Sequence, residues 1–331
     1  MQPRTDPQQT ESGVLAVLAG SPLDATAHQL GADPADLADA VTLYRAAGLQ
    51  ALRVQGASGD WQQVRIQFTD WQAAEAIAAT RLRPALEDAT LSGLLTRWWF
   101  IRKAPHWRLR LLPGADPGQL RKTIAELLDR LTAEHLLNHW RPAVYEPETL
   151  AFGGPAGIDT AHDLFHADSR HLLGHLTGPS PIGRRELSVL LLASLFRGAG
   201  QEWHEQGDIW HRVTRMRPLP DDVGPGQLQA MTGGMRRLMT VDTGPAGSLL
   251  GPGTELAFAS PWAAAFTRAG QQLATAAHLN TLERGLRGVL AHHVIFHWNR
   301  IGLPARTQAL LTRAARDTIM ASGPATEEST R

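Results

Sequence analysis

Residues 97–112, Arg-Trp-Trp-Phe-Ile-Arg-Lys-Ala-Pro-His-Trp-Arg-Leu-Arg-Leu-Leu, constrain this chain more than any other stretch. Two arms rich in strand formers flank Lys103-Ala104-Pro105, which predicts a hairpin of Trp98–Arg102 with His106–Leu112. Side chains alternate across a strand, so Trp107, Leu109 and Leu111 form one face and His106, Arg108 and Arg110 the other. The apolar face must be covered by another layer. The other face holds two fixed cations and a titratable imidazole. It is either an exposed edge with two solvated arginines or a grip for a carboxylate or phosphate, since guanidiniums bind such groups through paired hydrogen bonds.

The remaining pattern fits an α+β fold. A mixed or antiparallel sheet lies in the first half, packed with helices, and the second half is helix-rich. Trp61–Phe68 alternates and reads as a strand. Helices are expected over 69–80 and 84–95, then from Pro117 to about Leu137, with Leu120, Ile124, Leu127, Leu128 and Leu131 on one face. Val144–Phe152 reads as extended, ending in Gly153-Gly154. Helices follow over 158–176, 183–197, 201–217, 227–238, 260–298 and 304–321, with a Gly/Pro-rich loop at Thr240–Thr254.

Residues 1–12 are polar and read as disordered, and residues 322–331 as a loose tail. Residues 13–57 read as two or three short helices, a small extension serving as a cap or docking module, with Gly48 as a helix stop. Their cadence suggests a helix-turn-helix, but Asp36 and Asp39 would lie on the recognition helix, against a DNA backbone. The main domain is placed at 61–321.

Formal net charge is zero over 331 residues, so no general basic field draws in nucleic acid. Any anion site must be local. With no cysteine, thiolate metal sites and a cysteine nucleophile are excluded. No signal-type apolar segment or membrane-length run occurs, and a cytoplasmic enzyme is the expectation. Gly153-Gly154-Pro155 and Gly233-Gly234 lack a phosphate-loop frame, which argues against a nucleotide cofactor.

Two histidine clusters stand out. His162, His166, His171 and His175 form two i, i+4 pairs, a spacing that suits metal ligation. The frame lacks the accompanying carboxylate, and a structural role is favoured over a metal. In His292-His293-Val294-Ile295-Phe296-His297-Trp298-Asn299-Arg300, His293 and His297 share a helix face. They are candidates for proton transfer, or else half-buried histidines with local hydrogen bonds.

Three stretches in order resemble a known family. Trp99-Phe100-Ile101-Arg102 with His106-Trp107-Arg108-Leu109-Arg110 resembles the FIRY…HLRLR pattern of the lantibiotic dehydratase C-terminal, or thiopeptide-type bacteriocin biosynthesis, domain. Tyr145-Glu146-Pro147-Glu148 through Gly154, running into Phe165-His166-Ala167-Asp168-Ser169, resembles its Y-x-x-E-x-x-RYGG…F-x-x-DS segment. Asn299-Arg300-Ile301-Gly302 resembles the end of its HMxxNRLxG helix. The resemblance spans roughly residues 61–320.

That resemblance implies glutamate elimination from glutamylated Ser or Thr of a ribosomally made precursor peptide, giving dehydroalanine or dehydrobutyrine. It implies no metal or organic cofactor, and a separate partner that glutamylates the peptide from glutamyl-tRNA. By the same resemblance, Arg108 and Arg110 would stabilise the leaving carboxylate and His297 or His293 would be the base. Arg102, His106, Glu148, Asp168, Ser169, Asn299 and Arg300 would bind substrate, with Arg102 on the glutamyl α-carboxylate. Two departures stand beside it: the family's Arg-Tyr is Ala151-Phe152 here, and its histidine falls on Ile295. They keep open a [4+2] cycloaddition that forms the pyridine ring of thiopeptides, and a non-catalytic precursor-docking role.

Overall fold

The alternation of the hairpin arms becomes an antiparallel sheet in a computed structural model, which describes residues 6–57, 61–176, 178, 180–244 and 247–320. Two units are distinguished, Met1–Gly59 and Asp60–Arg331.

The first unit contains α1 (Pro7–Leu18), α2 (Leu23–Leu30) and α3 (Pro34–Ala57). Asp6 caps α1 by accepting from the Gln8 amide, so the helix begins inside the stretch read as disordered. Its small core is Val14, Ala27 and Leu37. Gly48 does not stop α3, which runs through it. A helix-interior glycine costs only about 1 kcal/mol relative to alanine, too little to end a helix by itself.

The second unit holds β1 (Gln62–Phe68), α4 (Ala74–Ile77), α5 (Arg83–Leu91), β2 (Leu95–Lys103), β3 (His106–Pro113), α6 (Pro117–Ala133) and β4 (Leu137–Ala143). It continues with α7 (Pro155–His175), α8 (Arg184–Gly198), α9 (Trp203–Met216), α10 (Pro225–Thr240), α11 (Ser260–His278), α12 (Leu286–Ile301) and α13 (Ala305–Met320). The fold class is α+β. Strand order is β2-β3-β1-β4, all neighbours antiparallel.

One sheet face carries Val64, Ile66, Phe68, Trp98, Phe100, Trp107, Leu109 and Leu111, all buried in the main core. Helix α6 lays its leucine stripe into that core, and Asp116 caps it through the Gln119 amide at 2.8 Å. Fully burying each such leucine contributes ~1.5–3 kcal/mol relative to exposure.

Three local expectations change. The helices expected over 69–80 and 84–95 are one run from Ala74 to Leu91, with a π-turn at Ala78–Leu82. Pro84, which has no amide hydrogen, follows the point where the α-ladder is interrupted. The extended segment expected at Val144–Phe152 lies earlier, as β4. The helix expected over 260–298 is broken after His278, where Asn280 takes a left-handed φ of 53°. The expected tail at 322–331 lies outside the described residues. Among the described residues no helix is long and apolar enough to cross a membrane.

Candidate active site

The second face of the sheet is where the polar residues of the hairpin collect. Trp99, Arg110 and Gln63 stand opposite one another on three adjacent strands. Helix α7 covers this end, and Phe165 packs on Trp99 with ring centroids 4.6 Å apart. Trp99, Ile101, Phe152, Ile158, Ala161 and Phe165 form a second core, with Trp61, Tyr145 and Phe296 packed against it. Gly153 and Gly154, with φ of 87° and 88°, turn the chain from Phe152 into α7. Only glycine adopts that geometry readily, which accounts for the Gly-Gly pair.

Arg110 is 2% exposed. Its guanidinium lies 4.0 Å from the Trp99 ring centroid and 4.5 Å from that of Tyr145. Its Nε donates to the Gln63 side-chain oxygen at 2.9 Å, while Nη1 has no partner. No carboxylate among the described residues forms an ion pair with it. Burial pushes Arg110 down to about 10, against the weaker pull of Tyr145 and Glu148, so it stays charged at neutral pH. The Tyr145 hydroxyl is 2.8 Å from His162 Nε2. Burial raises the Tyr145 phenol, and burial with the Arg97 charge holds His162 at about 3, neutral.

Next to this aromatic cluster lies a paired polar one. Asp168, 1% exposed, accepts from His297 Nδ1 at 2.9 Å, Arg300 at 2.5 Å and Trp262 Nε1 at 2.9 Å. Burial pushes Asp168 up, but His297 and Arg300 outweigh it and hold the carboxyl at about 2. Arg300 also donates to the Phe100 carbonyl at 3.2 Å and lies 4.5 Å from the Phe165 centroid, with Nη2 unpartnered.

The two candidate bases part company here. His297 packs on Phe266 of the main core, its Nε2 unpartnered. His293 packs on the aromatic cluster, 4.9 Å from Phe152 and 5.9 Å from Phe165, with neither ring nitrogen bonded. Burial, with Arg300 and His292 nearby, lowers it to about 3 and keeps it neutral.

Of the other residues singled out in sequence, Arg108 lies one step along β3 from Arg110, half-buried. Glu148 is exposed and acts on Arg110 only through space. Ser169 accepts from the Phe100 amide at 3.3 Å, fastening α7 to β2. Asn299 accepts from Gln308 at 3.1 Å, bracing α12 against α13. Arg102 is on the opposite sheet face, stacked on Trp107 and paired with Glu75, which also holds Arg184. His106 lies toward the far end of β3, beside His139. The structure therefore does not bring Arg102, His106, Ser169 or Asn299 into contact with the Arg110 guanidinium. The four histidines of α7 go to separate neighbours: His162 to Tyr145, His166 to the Trp98 backbone, His171 to Trp262 and His175 to Phe258. Among the described residues no group of three potential ligands is placed to hold a metal.

Sequence reasoning missed Trp99, Tyr145 and Gln63 as the residues that surround Arg110. Trp99 and Gln63 follow from strand register opposite Arg110, which composition and periodicity do not supply.

The C-terminal model of lantibiotic biosynthesis dehydratase matches residues 61–319. The chain belongs to this family. That membership puts it in ribosomal-peptide maturation. No curated protein is significantly similar in sequence. Among solved structures, the chain resembles the tRNA-dependent lantibiotic dehydratase MibB from Microbispora sp. 107891, at TM-score 0.58 and 19% identity over 80% of this chain. It spans only 28% of that protein. It also resembles TsrL (TM-score 0.55, 13% identity, 79% of this chain and 94% of the other). The pyridine synthase TbtD from thiomuracin biosynthesis matches at TM-score 0.57 and 14% identity, covering 80% of this chain and 99% of the other. At these identities the likeness to the solved structures is one of fold.

Proposed function

We propose that this protein eliminates glutamate from glutamylated Ser or Thr residues of a precursor peptide, leaving dehydroalanine or dehydrobutyrine. The observation that carries the reading is Arg110, a buried guanidinium with no ion-paired carboxylate among the described residues and one nitrogen without a partner. An uncompensated buried charge is costly, and a site that keeps one is suited to an anion that arrives with substrate or forms during reaction.

In the elimination, a base takes the Cα proton and that electron pair becomes the Cα–Cβ double bond. The Cβ–oxygen bond breaks and glutamate leaves as a carboxylate. The leaving group is a weak base, so charge stabilisation matters more than protonation. Arg110 supplies it, with half-buried Arg108 two residues along β3. His293, among the aromatic rings with neither ring nitrogen bonded, is the base this reading prefers on position; burial lowers its basicity, so substrate charge must raise it for proton transfer. Asp168, His297 and Arg300 act as the rigid wall behind it. The partner is a subunit that glutamylates the peptide from glutamyl-tRNA.

One observation favours a second reading. Phe152 is buried and adjoins Ala151, positions where the family resemblance implies tyrosine and arginine, so a cation the resemblance implies is absent here and the surface is apolar. Such a surface suits the cycloaddition that joins two dehydroalanines. The two readings separate by mass. Incubated with a precursor glutamylated on Ser or Thr, the protein is expected to release glutamate and leave an alkene. Survival of that peptide, with leader loss from a peptide carrying two dehydroalanines, overturns elimination in favour of cycloaddition.

A further inference from the structure

Beyond Arg110, the same sheet face carries an unusual row. Arg65 stands directly opposite Arg108 on one side and directly opposite Arg141 on the other. Neighbouring strands are ~4.8 Å apart, so the three guanidiniums arise from a line about 10 Å long. His139 and His106 lie one step further out, their rings 5.7 Å apart. Like charges directly opposite one another destabilise a sheet. Among the described residues, no carboxylate forms an ion pair with Arg65, Arg108 or Arg141. The Nε of Arg65 is buried without any partner. Besides burial, every charge acting on His106 is positive: His139, Arg141, Arg65 and Arg108.

We propose that this arginine row binds an acidic segment of the peptide substrate, one with several carboxylates flanking the residue that reacts. The row is open to solvent at β4, an edge strand on which His139 and Arg141 are exposed. At its inner side it adjoins Arg110, two residues along β3 from Arg108. Same-side residues of an extended peptide repeat every ~6.6 Å, so two or three acidic side chains span the row. A single small anion would leave at least one arginine unmatched. A nucleic acid is the weaker fit, because the chain has zero formal net charge.

The inference builds on the elimination reading but is tested separately from it. A fluorescein-labelled peptide with several Glu around one Ser, and its Gln counterpart, are compared by anisotropy on the full chain. The Glu peptide is expected to bind about tenfold more tightly at low salt, the advantage shrinking at high salt. The double variant Arg65→Gln with Arg141→Gln should remove the advantage. Its denaturation midpoint should hold or rise, since like charges have been removed. Elimination from a glutamylated peptide without acidic flanks should be unchanged in that variant, while KM for an acidic glutamylated peptide rises about tenfold and kcat stays. Equal binding of the two peptides, or an unchanged preference in the double variant, overturns the proposal. So does a short RNA that displaces the Glu peptide at lower concentration. If the wild-type protein eliminates nothing, the elimination reading falls, and the anisotropy contrast still decides the row.

Discussion

Arg110 and Arg300 are both almost wholly buried, both lie near the Trp99 ring, and both come from stretches that carry the family resemblance. Their surroundings differ. Arg300 has a carboxylate at 2.5 Å that is also bonded to His297 and Trp262. Arg110 has a neutral amide oxygen and two aromatic faces. A buried pair that is complete on its own holds helices together, here α7, α11 and α12. A buried cation lacking its other half is a place for something that comes and goes.

The largest expected effect is on stability at the paired side. Arg300→Met takes the guanidinium from buried Asp168 and leaves it only the His297 and Trp262 donors, and should cost about 3–5 kcal/mol in urea unfolding. A loss under about 1 kcal/mol would mean the cluster is not a structural clamp.

Acid sensitivity sharpens the contrast next. His293 and His162 fall to about 3 in the fold from an ordinary 6.5, so the unfolded chain takes up those protons first. Stability should therefore drop as pH falls from about 6.5 toward 3, by up to ~1.4 kcal/mol per pH unit for each. Asp168, held at about 2 against an ordinary 3.8, contributes stability above that range and loses it only as pH falls further. His293→Asn should flatten the slope between pH 6 and pH 4 by one proton's worth; an undiminished slope would show that His293 is not buried neutral.

Arg110→Met sits at the small end. Removing a buried charge that has no partner should leave unfolding within about 1 kcal/mol of wild type, or raise it. A loss as large as that of Arg300→Met would erase the distinction between the two arginines. For scale, Arg81→Ala, which breaks a half-exposed pair with Glu134, should cost under about 1 kcal/mol.

Much of the framework is legible in sequence because it is local. The two faces of β3, the hairpin and the leucine stripe of α6 follow from periods of two and 3.6. Helix interruptions are less so: Pro84 and Asn280 are visible, but whether they yield a π-turn or a break depends on what packs around them. The pocket divides the same way. Arg108, Arg110, His293 and His297 stand out by residue type and spacing. That Asp168 meets Arg300, 132 positions away, and that Arg102 turns to the opposite sheet face toward Glu75, is decided by strand parity and tertiary packing. The family motifs bring Asp168, Ser169, Asn299 and Arg300 to notice as substrate residues, whereas burial and hydrogen bonding give Ser169 and Asn299 fastening contacts instead.

The central claim is that Arg110 awaits the leaving carboxylate. The direct test follows glutamate loss by mass from a pre-glutamylated precursor, comparing wild type with Arg110→Gln at matched folded concentration. Loss of one such charge-stabilising donor should slow elimination by ~10²–10³-fold, with glutamylated peptide accumulating intact. Turnover within a few-fold of wild type would contradict the account.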